Sequence, residues 1–129
     1  ALVHAICFGS KKIVDRFEAE GVPIHAVIGI GGVARKSAFI MQSLANVLNR
    51  PIHVAASDQA PALGAAIYAA VAAGIYPDVP QAARTMGSPL EARYLPEPNA
   101  VAILEKQMKR YEELGALAAS LTETPTHKI

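Results

Sequence analysis

The sequence predicts an α/β domain in which short parallel strands pack against helices. Three observations support this class: apolar residues recur at helical spacing before residue 20, two short apolar runs lie at 25–30 and 51–56, and a helical pattern follows each run. Strands joined through a helix in this order are usually parallel neighbours. The 129 residues are enough for one domain with a single core.

The first half of the chain alternates helix and strand. A first helix is predicted over 2–20, ending before Gly21. The run at 25–30, HAVIGI, is mostly apolar, which is typical of a strand buried on both faces. Apolar residues four apart then predict a helix from Ser37 to Asn49, with Ser37 as its cap.

The second half repeats this alternation once. PIHVAA at 51–56 predicts the second strand, and an alanine-rich helix follows, capped by Ser57 or Asp58 and ended by Gly74. Its uncharged stretch at 60–76 is too short and too rich in alanine and glycine to cross a membrane, so we expect a buried helix. Because Gly64 gives this helix a smooth face, Gly64→Leu is expected to overpack it.

The remaining segments are a short helix, an irregular connection and a final helix. Asp78 is expected to cap the short helix, and the proline-punctuated residues 87–98 to be irregular. Asn99 is expected to cap an amphipathic helix that runs to about Leu121, followed by a mobile tail at 122–129.

Composition excludes several classes of partner. The net charge is +1 and the lysines and arginines are scattered, so we expect neither nucleic acid nor a membrane surface to be bound. The single Cys7 cannot form an internal disulfide and indicates a small buried residue in a cytoplasmic protein. The four histidines lack metal-ligand spacing, so no metal site is expected.

A glycine-rich turn between strand and helix is the main functional signal. Gly31 and Gly32 follow the first strand, and such turns let backbone approach a phosphate or nucleotide. A Walker loop is excluded, because its glycine positions fall on Ile30 and Arg35. The dinucleotide pattern G-x-G-x-x-A is met at 29–34, with Asp58 as a distant ribose-binding candidate, and a tight turn without a ligand is a further alternative. Asp58 itself fits a helix cap better than a ligand.

Longer motifs carry a more specific resemblance. GGVARKS and SDQAPALGAAIYAAVAAGIY, separated by NRPIHVAA, resemble the C-terminal half of a carbohydrate kinase of the FGGY family. The resemblance runs from about residue 2 to 112. It implies part of an actin-like, ribonuclease H-like ATPase lobe, in which Gly31 and Gly32 lie against the ribose and α-phosphate of ATP and Lys36 borders the adenine.

The resemblance also implies a reaction. Family members of this kind phosphorylate a ketopentose with ATP and Mg²⁺, and L-ribulose from L-arabinose breakdown is the expected substrate. The first helix opens with neither an N-cap nor an initiator methionine, so we expect residues 1–129 to be one nucleotide-side lobe of a longer chain. The catalytic base and most of the sugar pocket are then expected in the N-terminal lobe, and this lobe alone is expected to be inactive. A nicotinamide-dependent oxidoreductase and a nonenzymatic actin-like module are open alternatives for the function. A homodimer is an open alternative for the oligomeric state.

Overall fold

The computed structural model describes residues 1–122, which form six helices and three strands. The elements are α1 (Leu2–Ala19), β1 (Val27–Gly29), α2 (Gly31–Lys36), α3 (Ala38–Leu48), β2 (Ile52–Ala55), α4 (Ala60–Ala72), α5 (Val79–Met86), β3 (Leu90–Tyr94) and α6 (Pro98–Thr122). The helices and strands predicted in the first half are confirmed in place, and α2 is an additional short helix after the glycine turn. The prediction that the first strand is buried on both faces is wrong, because Ile28 of β1 is 52% exposed. Of the predicted mobile tail, Thr122 is the last residue of α6 and residues 123–129 lie outside the described part.

The sheet has the strand order β1-β2-β3. β1 and β2 are parallel, as predicted, with Val27 opposite Ile52 and Gly29 opposite Val54. β3 runs antiparallel to β2, so the prediction that residues 87–98 are irregular is wrong. Prolines flank this strand instead of interrupting it, and its charged side chains suit an edge position. Its five residues, LEARY, alternate apolar and polar side chains as a strand does, but the flanking prolines led to the prediction of an irregular segment.

Helix α3 lies at the centre of the fold between the sheet and the helices α1 and α6. On the sheet side it contributes to a buried cluster, and on the other side Val47 joins a second cluster with residues from α1 and α6. Cys7 belongs to the second cluster and is 1% exposed, which confirms its predicted burial, and this burial raises the pKa of its thiol. The sheet-side cluster comprises Ala34, Met41, Ala45, Leu48, Ile52 and Val54.

Local capping sets several helix boundaries. The Ser37 hydroxyl accepts a hydrogen bond from the Ile40 N–H at 3.3 Å, and the Asp78 carboxylate accepts one from the Gln81 N–H at 2.7 Å, so both predicted caps are confirmed. The predicted Asn99 cap is wrong, because α6 begins at Pro98. Proline suits a first helical position, where its missing N–H has no helical partner.

Helix α4 is the main departure from the predicted packing. It ends before Gly74, which has a φ of +73°, as predicted. Ala70 is its buried residue, however, so the prediction of a buried helix is wrong for the described residues. Apart from its own helix backbone and chain neighbours, no described atom lies within 4 Å of where a Cβ at Gly64 would be, so nothing in residues 1–122 supports the expected overpacking by leucine. Within residues 1–122, no helix is both long and apolar enough to cross a bilayer.

Candidate functional site

The carboxyl ends of β1 and β2 form the edge at which the predicted site lies. These strands are parallel and in register at Gly29 and Val54, so the glycine turn after β1 and the segment leading into α4 leave the sheet on the same side. Open α/β sheets bind ligands in the crevice outside the carboxyl ends of their strands. The topology therefore places Gly31, Gly32 and Asp58 at one edge.

Three glycines lie at this edge, and the structure explains two of them in different ways. At Gly29, a Cβ would lie 3.0 Å from the Ala34 Cβ and 3.1 Å from the Met41 Sδ, so any other residue would force these tightly packed neighbours to shift. Gly31 has a φ of +81°, in the left-handed region that favours glycine. Sequence patterns alone do not separate these two requirements.

Gly32 is required by neither packing nor a positive φ. Apart from its own helix backbone and chain neighbours, no described atom lies within 4 Å of where its Cβ would be. Gly32 is exposed at the carboxyl edge, and glycine is a poor helix former, so alanine would suit α2 better. An exposed glycine that the fold does not need is typical of a position where a ligand lies close to the backbone.

Lys36 lies on the same side of α2 as Gly32. The two residues are four apart in one helix, so their side-chain directions point to the same face, about 6 Å apart along the axis. Lys36 is exposed and has no hydrogen-bond or ion-pair partner among residues 1–122. A ligand resting on Gly32 would therefore lie within reach of a free ammonium group.

Arg35 connects this turn to two other elements. Its Nε donates a hydrogen bond to the Glu91 Oε1 on β3 at 2.7 Å, and its Nη1 forms an ion pair with the Asp58 Oδ1. The hydrogen bonds to Glu91 and then to Asp58 raise the pKa of the Arg35 guanidinium, which stays charged. Sequence analysis missed these contacts. Arg35 is 23 positions from Asp58 and 56 positions from Glu91, and no local pattern links residues that far apart.

Asp58 does not cap α4. Its carboxylate pairs with Arg35, whereas Gln59 is the residue before the helix and makes no side-chain cap. The Ser57 hydroxyl accepts a hydrogen bond from the Gln59 N–H at 3.2 Å, so the other predicted cap residue supports this turn. The pairing also counts against Asp58 as a free ribose-binding acid of a dinucleotide fold.

The described residues offer no evident metal centre. No group of three or more histidine, cysteine, aspartate or glutamate residues within 1–122 could hold a metal ion. The two carboxylates nearest the glycine turn, Asp58 and Glu91, are both engaged by Arg35.

The edge geometry, the glycine turn and the α/β order are together typical of an α/β domain that binds a ligand at the carboxyl ends of its strands. A family model described as the FGGY family of carbohydrate kinases, C-terminal domain, matches residues 1–73. The chain belongs to this family, which confirms the predicted resemblance, and the matched segment contains the glycine turn and all of α4.

Similar curated proteins are ribulokinases. The chain is 44% identical over 123 residues to the ribulokinase of Vibrio parahaemolyticus, an alignment that covers 95% of this chain and 22% of that protein. It is also 44% identical over 118 residues to the ribulokinase of Halalkalibacterium halodurans, covering 88% and 21%. The chain thus spans about a fifth of the length of these relatives.

Solved structures of sugar kinases have a similar fold. The xylulose kinase of Rhodospirillum rubrum matches with a TM-score of 0.78 at 22% identity, covering 94% of this chain and 24% of that chain. The ligand-bound xylulose kinase of Lactobacillus acidophilus matches with a TM-score of 0.64 at 32% identity, covering 74% and 19%. The predicted α/β architecture of a sugar-kinase lobe is confirmed.

Proposed function

We propose that this chain is the nucleotide-binding lobe of a longer cytoplasmic kinase that transfers the γ-phosphoryl group of ATP to L-ribulose in L-arabinose breakdown. The observation that carries the proposal is Gly32, whose bare backbone faces open space at the carboxyl edge although neither packing nor backbone conformation requires glycine there. The family match supports a carbohydrate kinase, and the ribulokinase relatives support a pentulose substrate.

Each predicted site residue has a separate role in this proposal. Gly31 turns the chain at the end of β1, and Gly32 lets the ribose and α-phosphate of ATP lie against the backbone. Lys36, on the same face of α2, borders the purine or contacts a phosphate oxygen. These residues bind and orient the nucleotide. They supply no general base, which phosphoryl transfer to a hydroxyl requires.

The missing chemical groups are assigned to the rest of the longer protein. Since the chain covers 22% of the Vibrio ribulokinase, we propose that an N-terminal lobe contributes the base, the sugar pocket and the ligands of the Mg²⁺ that kinases use. Closure of the two lobes around ATP and sugar would exclude water from the transferred phosphoryl group.

A direct activity assay tests the proposed function. The full-length protein is mixed with ATP, Mg²⁺ and L-ribulose, and ADP formation is followed, with D-xylulose and no sugar as parallel reactions. We expect ADP formation that depends on L-ribulose, and no turnover by residues 1–129 alone. Turnover by residues 1–129 alone would overturn the two-lobe account.

The same preparation separates the other functional classes. Titratable NADH binding with fluorescence transfer, and no ATP-dependent turnover, would indicate an oxidoreductase domain. ATP binding by the full-length protein without phosphorylation of any ketose would indicate an actin-like module instead of a kinase. Either outcome would overturn the proposed function.

A further inference from the structure

We infer that Arg35 is a positioning residue that fixes the glycine turn for nucleotide binding, an inference that rests on the proposed function. Arg35 lies three residues after Gly32 and immediately before Lys36. Its guanidinium contacts two carboxylates on other elements, Asp58 and Glu91. It acts on the ligand through the backbone of α2 and does not touch it.

The contacts of Arg35 join three separate parts of the carboxyl edge. Glu91 lies on β3, and Asp58 precedes α4, so one side chain connects α2 both to the sheet and to the segment after β2. The Arg35 side chain is only 28% exposed, compared with 65% for Asp58. These contacts lie at the surface, so their effect comes from one rigid guanidinium meeting two carboxylates and not from the strength of either ion pair.

Helix α2 needs such an external connection. It has six residues, which is too short to be stable by its own hydrogen bonds, and Ala34 is its buried residue. Two nitrogens of a rigid, planar guanidinium contact two different carboxylates, which fixes the direction of the side chain. A lysine has a single flexible ammonium group and cannot reproduce this fork.

Arg50 provides a matched control at the opposite edge. Its Nη2 donates to the Glu18 Oε1 at 2.6 Å and its Nη1 to the Ile24 carbonyl oxygen at 3.2 Å, so it also joins separate segments. Its side chain is 33% exposed, close to the value for Arg35. Arg50 lies just before β2, at the amino ends of the parallel strands and away from Gly32.

The experiment compares Arg35→Ala, Arg35→Lys and Arg50→Ala in the full-length protein, with ATP and L-ribulose varied separately. For Arg35→Ala we expect kcat/KM for ATP to fall roughly 10- to 100-fold, because small displacements of a binding group cost this much. The KM for L-ribulose should stay within about twofold of the parent value, since the sugar is proposed to bind in the N-terminal lobe and not at α2. Arg35→Lys should recover only part of the loss, and Arg50→Ala should leave both KM values within about twofold.

Single carboxylate variants guard against a simple folding defect. Asp58→Asn and Glu91→Gln each remove one arm of the contact, and each should raise the KM for ATP less than Arg35→Ala does. In the Arg35→Ala background they should add little, because coupled residues are not additive. Thermal midpoints of all variants are measured in parallel.

The outcomes separate this inference from the proposed function. If the parent phosphorylates L-ribulose but Arg35→Ala and Arg50→Ala change the KM for ATP equally, Arg35 is merely structural and the inference is wrong, while the kinase assignment stands. Full recovery by Arg35→Lys also overturns it. If the parent shows no ATP-dependent phosphorylation, the proposed function fails, and the inference fails with it.

Discussion

The two ends of the parallel strand pair differ in how fully the fold explains their residues. At the amino ends, Arg50 binds Glu18 and Ile24, and beside it lies a cavity of about 290 Å³ lined also by His25 and His53. At the carboxyl ends, Gly32 serves no packing or conformational need, and Lys36 has no partner within the described residues. We therefore propose the nucleotide site at the carboxyl edge and not at this cavity.

Substitution of Gly32 should give the largest functional effect. In the full-length protein, the branched side chain of Gly32→Val would occupy the space in which the nucleoside is proposed to lie, so we expect kcat/KM for ATP to fall by about 100-fold. The KM for L-ribulose should be unchanged within about twofold. Steady-state kinetics with each substrate varied measures both values. A variant that raises the KM for L-ribulose and leaves the KM for ATP unchanged would contradict a nucleotide site at the carboxyl edge.

Gly29→Ala tests the packing role of the neighbouring glycine. Its Cβ would lie 3.0 Å from the Ala34 Cβ, so we expect a loss of about 1 to 3 kcal/mol in the free energy of unfolding from overpacking. Denaturant unfolding of the parent and variant measures this loss. Gly32→Val is the matched control, and we expect it to be less destabilising because its Cβ meets open space. Equal stability losses would contradict the distinction between the two glycines.

Arg50→Ala should affect stability at the amino edge by a smaller amount. The variant loses a hydrogen bond to a carbonyl and a partly exposed ion pair, which together contribute about 1 kcal/mol. A drop in the denaturation midpoint in urea, with an unchanged slope, is the expected result. A midpoint equal to that of the parent would show that the contact contributes nothing measurable.

The smallest predicted effect belongs to Lys36. Its ammonium group is exposed and flexible, so Lys36→Ala is expected to raise the KM for ATP by roughly threefold, typical of an exposed charge contact. The increase should shrink at high salt, because screening weakens exposed electrostatic contacts. Lys106, which is exposed on α6, serves as the control, and Lys106→Ala should leave the KM unchanged. Equal effects of the two substitutions would remove Lys36 from the proposed site.

The sequence predicted elements whose signals are local. The Ser37 and Asp78 caps, the end of α4 at Gly74 and the parallel pair β1 and β2 each depend on nearby residues or on element order, and all are confirmed. The burial of α4 was predicted from its apolar composition and is wrong for the described residues, since burial depends on what packs against a helix.

The unpredicted features depend on distant contacts. Arg35 meets Glu91 across 56 positions, and β3 is defined by pairing with β2. The contact between Arg35 and Glu91 leaves no motif in the sequence, whereas the alternating apolar and polar residues of β3 are a local strand signal that the flanking prolines obscured. The glycine turn was found because its residues are adjacent. Only the structure separates Gly29, which is tightly packed, and Gly31, which has a positive φ, from Gly32.

The most direct test is a crystal structure of the full-length protein with a nonhydrolysable ATP analogue. We predict that the ribose and α-phosphate contact the backbone of Gly31 and Gly32, with Lys36 on the same side of the nucleotide. An analogue bound at the amino-edge cavity beside Arg50, or at any other place that leaves the glycine turn uncontacted, would contradict the account.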